Sequence, residues 1–232
     1  MRPTSDCTGA HLLDAREGYR RWAPRYADET AISWLEDGLV AAMTPPLAGL
    51  RLLDAGCGTG RRLQGCGAAL AVGVDASAAM LDAGVGRGEP RPGIVTMVGD
   101  VRALPLENES FDVLWCRLVI GHLPDCAPAY RELARVAAPG ARVIVSDFHP
   151  DAYAAGHRRS FREGESVHEI EHYVHTSEAQ IAAARGAGLA LIDEREAAIG
   201  EAVFPFYQRA GRPELFAAHR GLPVVLALAF RG

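Results

Sequence analysis

Two stretches of this 232-residue chain carry side chains and glycines at spacings that chemistry uses. The first is His168-Glu169-Ile170-Glu171-His172, inside HEIEHYVH, which fits the H-E-x-x-H pattern of zinc peptidases. That chemistry needs a helix, so that both histidines share a face one turn apart. The surrounding SVHEIEHYVHT alternates as a strand does. On a strand His168, Ile170, His172 and Val174 face one way, and Val167, Glu169, Glu171, Tyr173 and His175 the other. Glu169 would then point away from the two histidines, and no third ligand follows at a familiar spacing. A zinc hydrolase through His168 and His172 is the remotest of the readings carried forward.

The second stretch is LLDAGCGTGRR, 52–62. A buried-type strand ends at Asp54, and Gly56, Gly58 and Gly60 follow at alternate positions before a helix-like segment. Glycines there let the backbone turn tightly and come close to a ligand, beside unpaired N–H groups at the helix start. Taken alone, the triplet reads equally as a tight strand-to-helix turn. Asp75 closes the next strand, where a ribose-diol acceptor sits in doubly wound folds, and Asp100 closes the third. Any one of them reads as a cap or turn former. Three acids closing three successive strands at one sheet edge point to a shared site. A dinucleotide fingerprint, G-x-G-x-x-G, fails because its third glycine falls on Arg61.

The elements that must position these residues alternate. Strand candidates run over 51–55, 69–75, 94–100, 111–119 and 141–148, with helices between them over 77–84 and 128–137. This rhythm predicts an α/β fold, a parallel sheet with helices on both faces. Before it, residues up to about Met43 look helical, with Thr30 a cap for AISWLEDGLVAAM and Pro45-Pro46 a stop. After Phe148 the rhythm breaks, then resumes with a helix in TSEAQIAAARGAG, read as an S-x-x-Q capping box from Ser177 to Gln180. LALIDERE and LPVVLALAF end the chain as strands. One domain over 1–232 with one irregular insertion is the simplest organisation.

Composition narrows the function classes. All 24 basic residues of the Lys+Arg count are arginine, which rules out a Walker-type or Schiff-base lysine. A net charge of −5 argues against nucleic-acid backbone binding. Five cysteines (Cys7, Cys57, Cys66, Cys116, Cys126), with no C-x-x-C pair, fit reduced thiols, and no apolar run reaches membrane-spanning length. With no signal-like leader, the expectation is a cytoplasmic protein without nucleic-acid or membrane partners.

Together these motifs resemble the class I S-adenosylmethionine-dependent methyltransferases, particularly the small-molecule group that includes the ubiquinone and menaquinone C-methyltransferases. The resemblance covers roughly Tyr19 to Asp147 well and the remainder loosely. It implies a Rossmann-like, doubly wound, seven-stranded sheet, mostly parallel with an antiparallel last strand. It implies S-adenosylmethionine as cofactor, S-adenosylhomocysteine as product and no metal. Asp54, Gly56, Gly58 and Gly60 would lie against the methionine part. Asp75 would bind the ribose hydroxyls, with Ala76 beside it and Met80 near the adenine. Gly99, Asp100 and Val101 would meet the adenine edge, and Cys116, Arg117 and Leu118 would lie beneath the cofactor. An N-terminal helical lid (about 10–45) would bring Tyr19 and Tyr26 over it. An insertion (about 148–176) would cover the acceptor, with Trp22, His172 and Tyr173 in the acceptor pocket.

The implied reaction is methyl transfer to an O, N or C atom of a small molecule by in-line displacement, in a monomer or homodimer. Such a reaction needs alignment, exclusion of water and, for a protonated acceptor, a base. His122, in the loop after the fourth strand, is the first candidate base, and His149, after the fifth, the second. Each also reads as a loop histidine that packs or caps. Tyr19, Trp22 and Tyr26 share a helical face and also read as a packed stripe. Arg20-Arg21 and Arg158-Arg159 are candidates to meet an anionic acceptor, or ordinary solvated charges. The alternative function is a cofactor-binding protein of the same fold without methyl transfer, cyclase-like or regulatory.

Overall fold

A computed structural model describes residues 10–26, 29–84 and 93–232. The expected alternation is present as β2 (Arg51–Ala55), β3 (Leu70–Asp75), α3 (Ala78–Gly84), β4 (Ile94–Val98), β5 (Phe111–Arg117), α4 (Ala127–Val136) and β6 (Ala137–Phe148). The N-terminal part holds β1 (His11–Leu13), α1 (Ala15–Trp22) and α2 (Ala31–Met43). Between β6 and the last segment lie α5 (Pro150–Ala154), β7 (Ser160–Glu163) and β8 (Ser166–Ile170). The chain closes with α6 (Ser177–Gly186), β9 (Ala190–Ala198), α7 (Phe204–Arg209), α8 (Pro213–His219) and β10 (Pro223–Arg231).

Seven strands form the main sheet in the order β4-β3-β2-β5-β6-β10-β9. Neighbours from β4 to β6 are parallel, and β10 runs antiparallel to both β6 and β9. This is the Rossmann-like, mostly parallel sheet with an antiparallel last strand that the resemblance implied. Alternation along the strands divides the core. Leu53, Leu114 and Val143 pack with Tyr130 and Leu133 of α4 and Ala184 of α6, while Leu52, Val113 and Ile144 pack with Val40 and Met43 of α2. Every residue from Val224 to Phe230 is buried, which accounts for the unbroken apolar run of a strand covered on both faces.

Two local readings need correction. Residues 11–13 are a strand, not helix: Asp14 caps α1 by accepting the Glu17 N–H at 3.0 Å, so the chain before it is extended and β1 pairs with β8. The cap of α6 is Thr176, which accepts the Ala179 N–H at 3.2 Å; Gln180 is buried and accepts the Tyr130 hydroxyl at 3.0 Å. A one-residue shift turns the supposed capping glutamine into a core bridge between α6 and α4. The expected Thr30 cap of α2 is present, reciprocated by Ser33.

A second sheet, in the order β1-β8-β7, joins the N-terminal part to the segment after β6. His11 pairs with His168 and Leu13 with Ile170. Helix α1 lies on β8 so closely that a Cβ on Gly18 would come within 2.8 Å of Ile170.

Helix α2 carries an acid in its apolar stripe. Glu36 sits one and two turns before Val40 and Met43 and is fully buried with them. Its carboxylate accepts from Arg117 Nε (2.8 Å) and Nη2 (2.6 Å), from Arg62 Nη2 (3.2 Å) and from Ser146 Oγ (2.6 Å). One side chain therefore joins α2 to the ends of β5 and β6 and to the segment after the glycine loop. Removing one partner of such a cluster leaves buried charge uncompensated. Glu36→Ala is expected to lower unfolding stability by roughly 3–5 kcal/mol in urea titrations, with Glu36→Gln losing less. A loss below about 1 kcal/mol would show that the cluster does not hold α2 in place.

Candidate active site

Strand β2 ends against a turn that only glycine accommodates. Gly56, Gly58 and Gly60 have φ of 86°, 58° and 68°, and a Cβ on Gly56 would lie 2.1 Å from Val119 Cγ2. The turn is pinned to β3: the Gly56 N–H donates to Val74 O at 2.7 Å, and the Gly58 N–H to Asp75 Oδ2 at 2.7 Å. Asp75 Oδ1 accepts the Ser77 N–H at 2.8 Å. Burial pushes the Asp75 carboxyl above its ordinary value in spite of these two donors. Each of its oxygens keeps a lone pair, and the residue lines a cavity of about 420 Å³ at the carboxyl edge of the sheet.

The cavity gathers most of the residues singled out from the sequence. Gly56, Gly58, Asp75, Ala76 and Met80 form one wall. Gly99, Asp100 and Val101 form the next, with Asp100 held below the usual carboxylate range by Arg102, whose Nη2 lies 2.6 Å away. Arg117, Leu118 and His122 come from the end of β5, and Tyr19, Tyr26 and Tyr173 close the other side.

Six of the expected residues stand off the wall. Asp54 and Cys116 are buried behind it in the strands, and Gly60 lies past the turn. His149 follows β6 directly before Pro150, which makes it the cap of α5. Its Nδ1 accepts the Asp151 N–H at 3.1 Å and its Nε2 meets Glu196 at 3.1 Å, so it faces β9 rather than the cavity. Trp22 stacks against Phe161 and Tyr19, with centroids 5.3 and 6.0 Å away, and is packing rather than lining. His172 is buried over Gly121, where a Cβ would stand 2.0 Å from its ring, among Phe148, Tyr153 and His122. Burial, with Arg159 nearby, brings the His172 pKa down to about 3.

The HEIEH stretch begins as strand β8 and leaves it after Ile170. His168 packs on His11 and Phe161 and lies 3.4 Å from Glu163, while His172 takes its place over Gly121. A strand turns Glu169 away from both histidines, so the peptidase arrangement does not form. Among the described residues, no three His, Cys, Asp or Glu side chains converge as a metal site would require.

His122 stands in a defined hydrogen-bond chain. Its Nδ1 lies 3.1 Å from Glu171 O, which only accepts, so the ring is protonated there. Its Nε2, 3.0 Å from the Tyr19 hydroxyl, is then the acceptor, and Tyr19 in turn receives an N–H from Arg159. Burial, reinforced by Arg159, holds the His122 pKa well below its ordinary value. Burial also raises the Tyr19 pKa, against the pull of Arg159. Both groups are therefore neutral near pH 7.

Sequence reasoning missed Glu36 and the role of Arg159 in this chain. The signal for Glu36 was present as an acid spaced with Val40 and Met43. Arg159 was singled out only as half of the Arg158-Arg159 pair; its bonds to Tyr19 and Leu118, 140 and 41 residues away, had no local signal.

This geometry agrees with the comparisons. Residues 53–145, from β2 to β6, match the family model described as a methyltransferase domain. A 27-O-demethylrifamycin SV methyltransferase of Amycolatopsis mediterranei is 34% identical over 126 residues, 52% of this chain and 46% of that protein. A demethylmenaquinone methyltransferase of Roseiflexus is 38% identical over 126 residues, 51% of this chain and 52% of that one. The chain thus spans about half the length of the curated relatives it matches. A crystal structure of an S-adenosylmethionine dependent methyltransferase from Mesorhizobium loti superposes with a TM-score of 0.67 at 25% identity, over 85% of this chain and 98% of that one.

Asp54 is the costliest of the strand-end acids. Burial, only partly offset by Arg117 and Arg62, pushes its carboxyl up to about 6, and its Oδ1 has no partner. A folded-state pKa above the unfolded 3.8 means that the folded chain keeps a proton the unfolded chain has lost between about pH 4 and 6. Stability therefore falls as pH rises through that window, by at most about 3 kcal/mol at about 1.4 kcal/mol per unit. Asp147, buried and also pushed up to about 6, adds a like slope. Asp54→Asn should remove about half of the fall between pH 4.5 and 7.5 in denaturant titrations. A variant with the parent's full slope would refute the assignment.

Proposed function

We propose that this chain is an enzyme that transfers the methyl group of S-adenosylmethionine to an O, N or C atom of a small molecule by in-line displacement. The observation that carries this reading is the cavity in which the positive-φ glycine turn and the Asp75 carboxylate face the same space. The residues fit the cofactor's parts. The backbone at Gly56 and Gly58 is bare enough for close approach by the methionine part, and Asp75 has acceptor capacity left for both ribose hydroxyls. Met80 and Val101 supply an apolar wall for the adenine, beside Gly99 and Asp100. When bound, S-adenosylmethionine supplies a methyl group on a positively charged sulfur, so no covalent enzyme intermediate is needed.

The chain's own residues then align the acceptor and keep water out. The N-terminal segment (about 10–45) acts as a lid through Tyr19 and Tyr26. The insertion (about 148–176) forms the acceptor wall through Tyr173, with His172 behind it. His122 keeps its proton at Nδ1 and uses Nε2 to fix the Tyr19 hydroxyl. The names of the two curated relatives, which refer to a demethylrifamycin and a demethylmenaquinone, support an acceptor of small-molecule type.

Isothermal titration with S-adenosylhomocysteine tests the reading. The parent should bind with 1:1 stoichiometry, and Asp75→Ala should weaken binding by roughly 10- to 100-fold, the equivalent of about 1.5–3 kcal/mol for hydrogen bonds to a charged group. No binding by the folded parent would remove the proposal. An unaffected Asp75→Ala would place the ribose contact elsewhere.

A further inference from the structure

Arg159 lies between α5 and β7, in the segment proposed to wall the acceptor, and its side chain is the most enclosed cation on the cavity wall apart from Arg117. Its residue exposure is 8%. Nη1 donates to the Tyr19 hydroxyl and to Leu118 O at 3.3 Å, and the guanidinium lies 5.0 Å over the Phe148 ring. Nε is buried with no partner at all. Arg117, the other enclosed cation, is neutralised by Glu36 and Asp37. Among the described residues, no carboxylate forms an ion pair with Arg159, and the buried Asp147 acts on it only from farther off.

A cation taken out of water without a paired anion is costly, and an unpaired N–H donor beside it adds to the cost. The missing counter-charge is supplied when an anion enters the cavity that Arg159 lines, and a guanidinium suits the flat, two-oxygen geometry of a carboxylate. The neighbouring groups favour an anion over a neutral acid. His122 has Nδ1–H committed to Glu171 O and Nε2 to the Tyr19 hydroxyl, and a second positive charge beside Arg159 is opposed by both burial and repulsion. This corner holds a fixed cation beside a histidine that stays neutral.

We infer that Arg159 anchors the methyl acceptor by an anionic oxygen group, a carboxylate or an equally acidic oxygen, so that the acceptor is a small organic acid bound in its ionised form. The inference rests on the methyl-transfer reading for the anion's being part of the acceptor. The geometry leaves one rival source, the cofactor's own carboxylate, and the test separates the two.

Crystals of the protein with S-adenosylhomocysteine, and crystals without it, would be soaked in sodium bromide and measured at the bromine absorption edge. The expected result is the strongest anomalous peak of the cavity in contact with the Arg159 guanidinium, in both crystals, alongside an intact S-adenosylhomocysteine. Arg159→Gln should lose that peak and keep S-adenosylhomocysteine affinity within about 3-fold. A S-adenosylhomocysteine carboxylate seated on Arg159, or a 10-fold or greater loss of its affinity in Arg159→Gln, would assign the residue to the cofactor and overturn the inference. Absence of bromide at Arg159 in both parent crystals would overturn it as well, whether or not the variant folds. If S-adenosylhomocysteine fails to bind, the functional reading falls on that result alone, while the ligand-free soak still decides whether Arg159 is an anion site.

Discussion

The carboxylate of Glu36 is the point on which the geometry of the site depends. It is completely enclosed and is compensated by two guanidinium groups and a serine hydroxyl. Arg117 is the residue that ends β5, Arg62 follows the glycine turn, and Ser146 stands near the end of β6. A buried ionic cluster of this kind adds little net stability compared with apolar packing, but it tolerates only one arrangement of its members. That arrangement sets the height of α2 over the sheet and backs the floor of the cavity. Asp37, whose burial alone would raise its pKa, is instead held below its ordinary value by Arg62, Arg117 and Arg61, and belongs to the same system.

The two sides of the cavity are built on different principles. The floor consists of strand ends and the turn at Gly56–Gly60, held by backbone hydrogen bonds between adjacent parallel strands. The cover consists of α1 and the small sheet β1-β8-β7, held by aromatic packing around Trp22 and by the hydrogen-bond chain Arg159–Tyr19–His122–Glu171. Every link of that chain crosses from one segment to another. Displacing any one member therefore alters the polar surface that an acceptor would meet.

Much of the floor was legible in the sequence because its signals are local. Alternate glycines after a buried strand, and an acid closing each of three strands, sit within short windows and specify backbone conformation directly. The strand reading of SVHEIEHYVHT holds over Ser166–Ile170, where a period of two is visible in five residues, and fails beyond it, where the chain leaves the sheet. The cover was less legible. His149 and His122 occupy similar positions after neighbouring strands, yet Pro150 commits His149 to capping α5 and turns it toward Glu196. Trp22 and Tyr19 share a helical face, and only the partner in β7 decides which of them packs. Glu36 and Arg159 depend on contacts formed 81 and 140 residues apart, which no local pattern encodes.

The central claim is that the glycine turn and Asp75 together receive the cofactor. A co-crystal structure with S-adenosylhomocysteine tests it most directly. The account predicts both ribose hydroxyls on the Asp75 carboxylate, the amino-acid part against Gly56 and Gly58, and the sulfur facing the side of the cavity that holds Tyr19 and His122. A ligand bound elsewhere on the molecule, or seated in the cavity with its ribose away from Asp75, would contradict it.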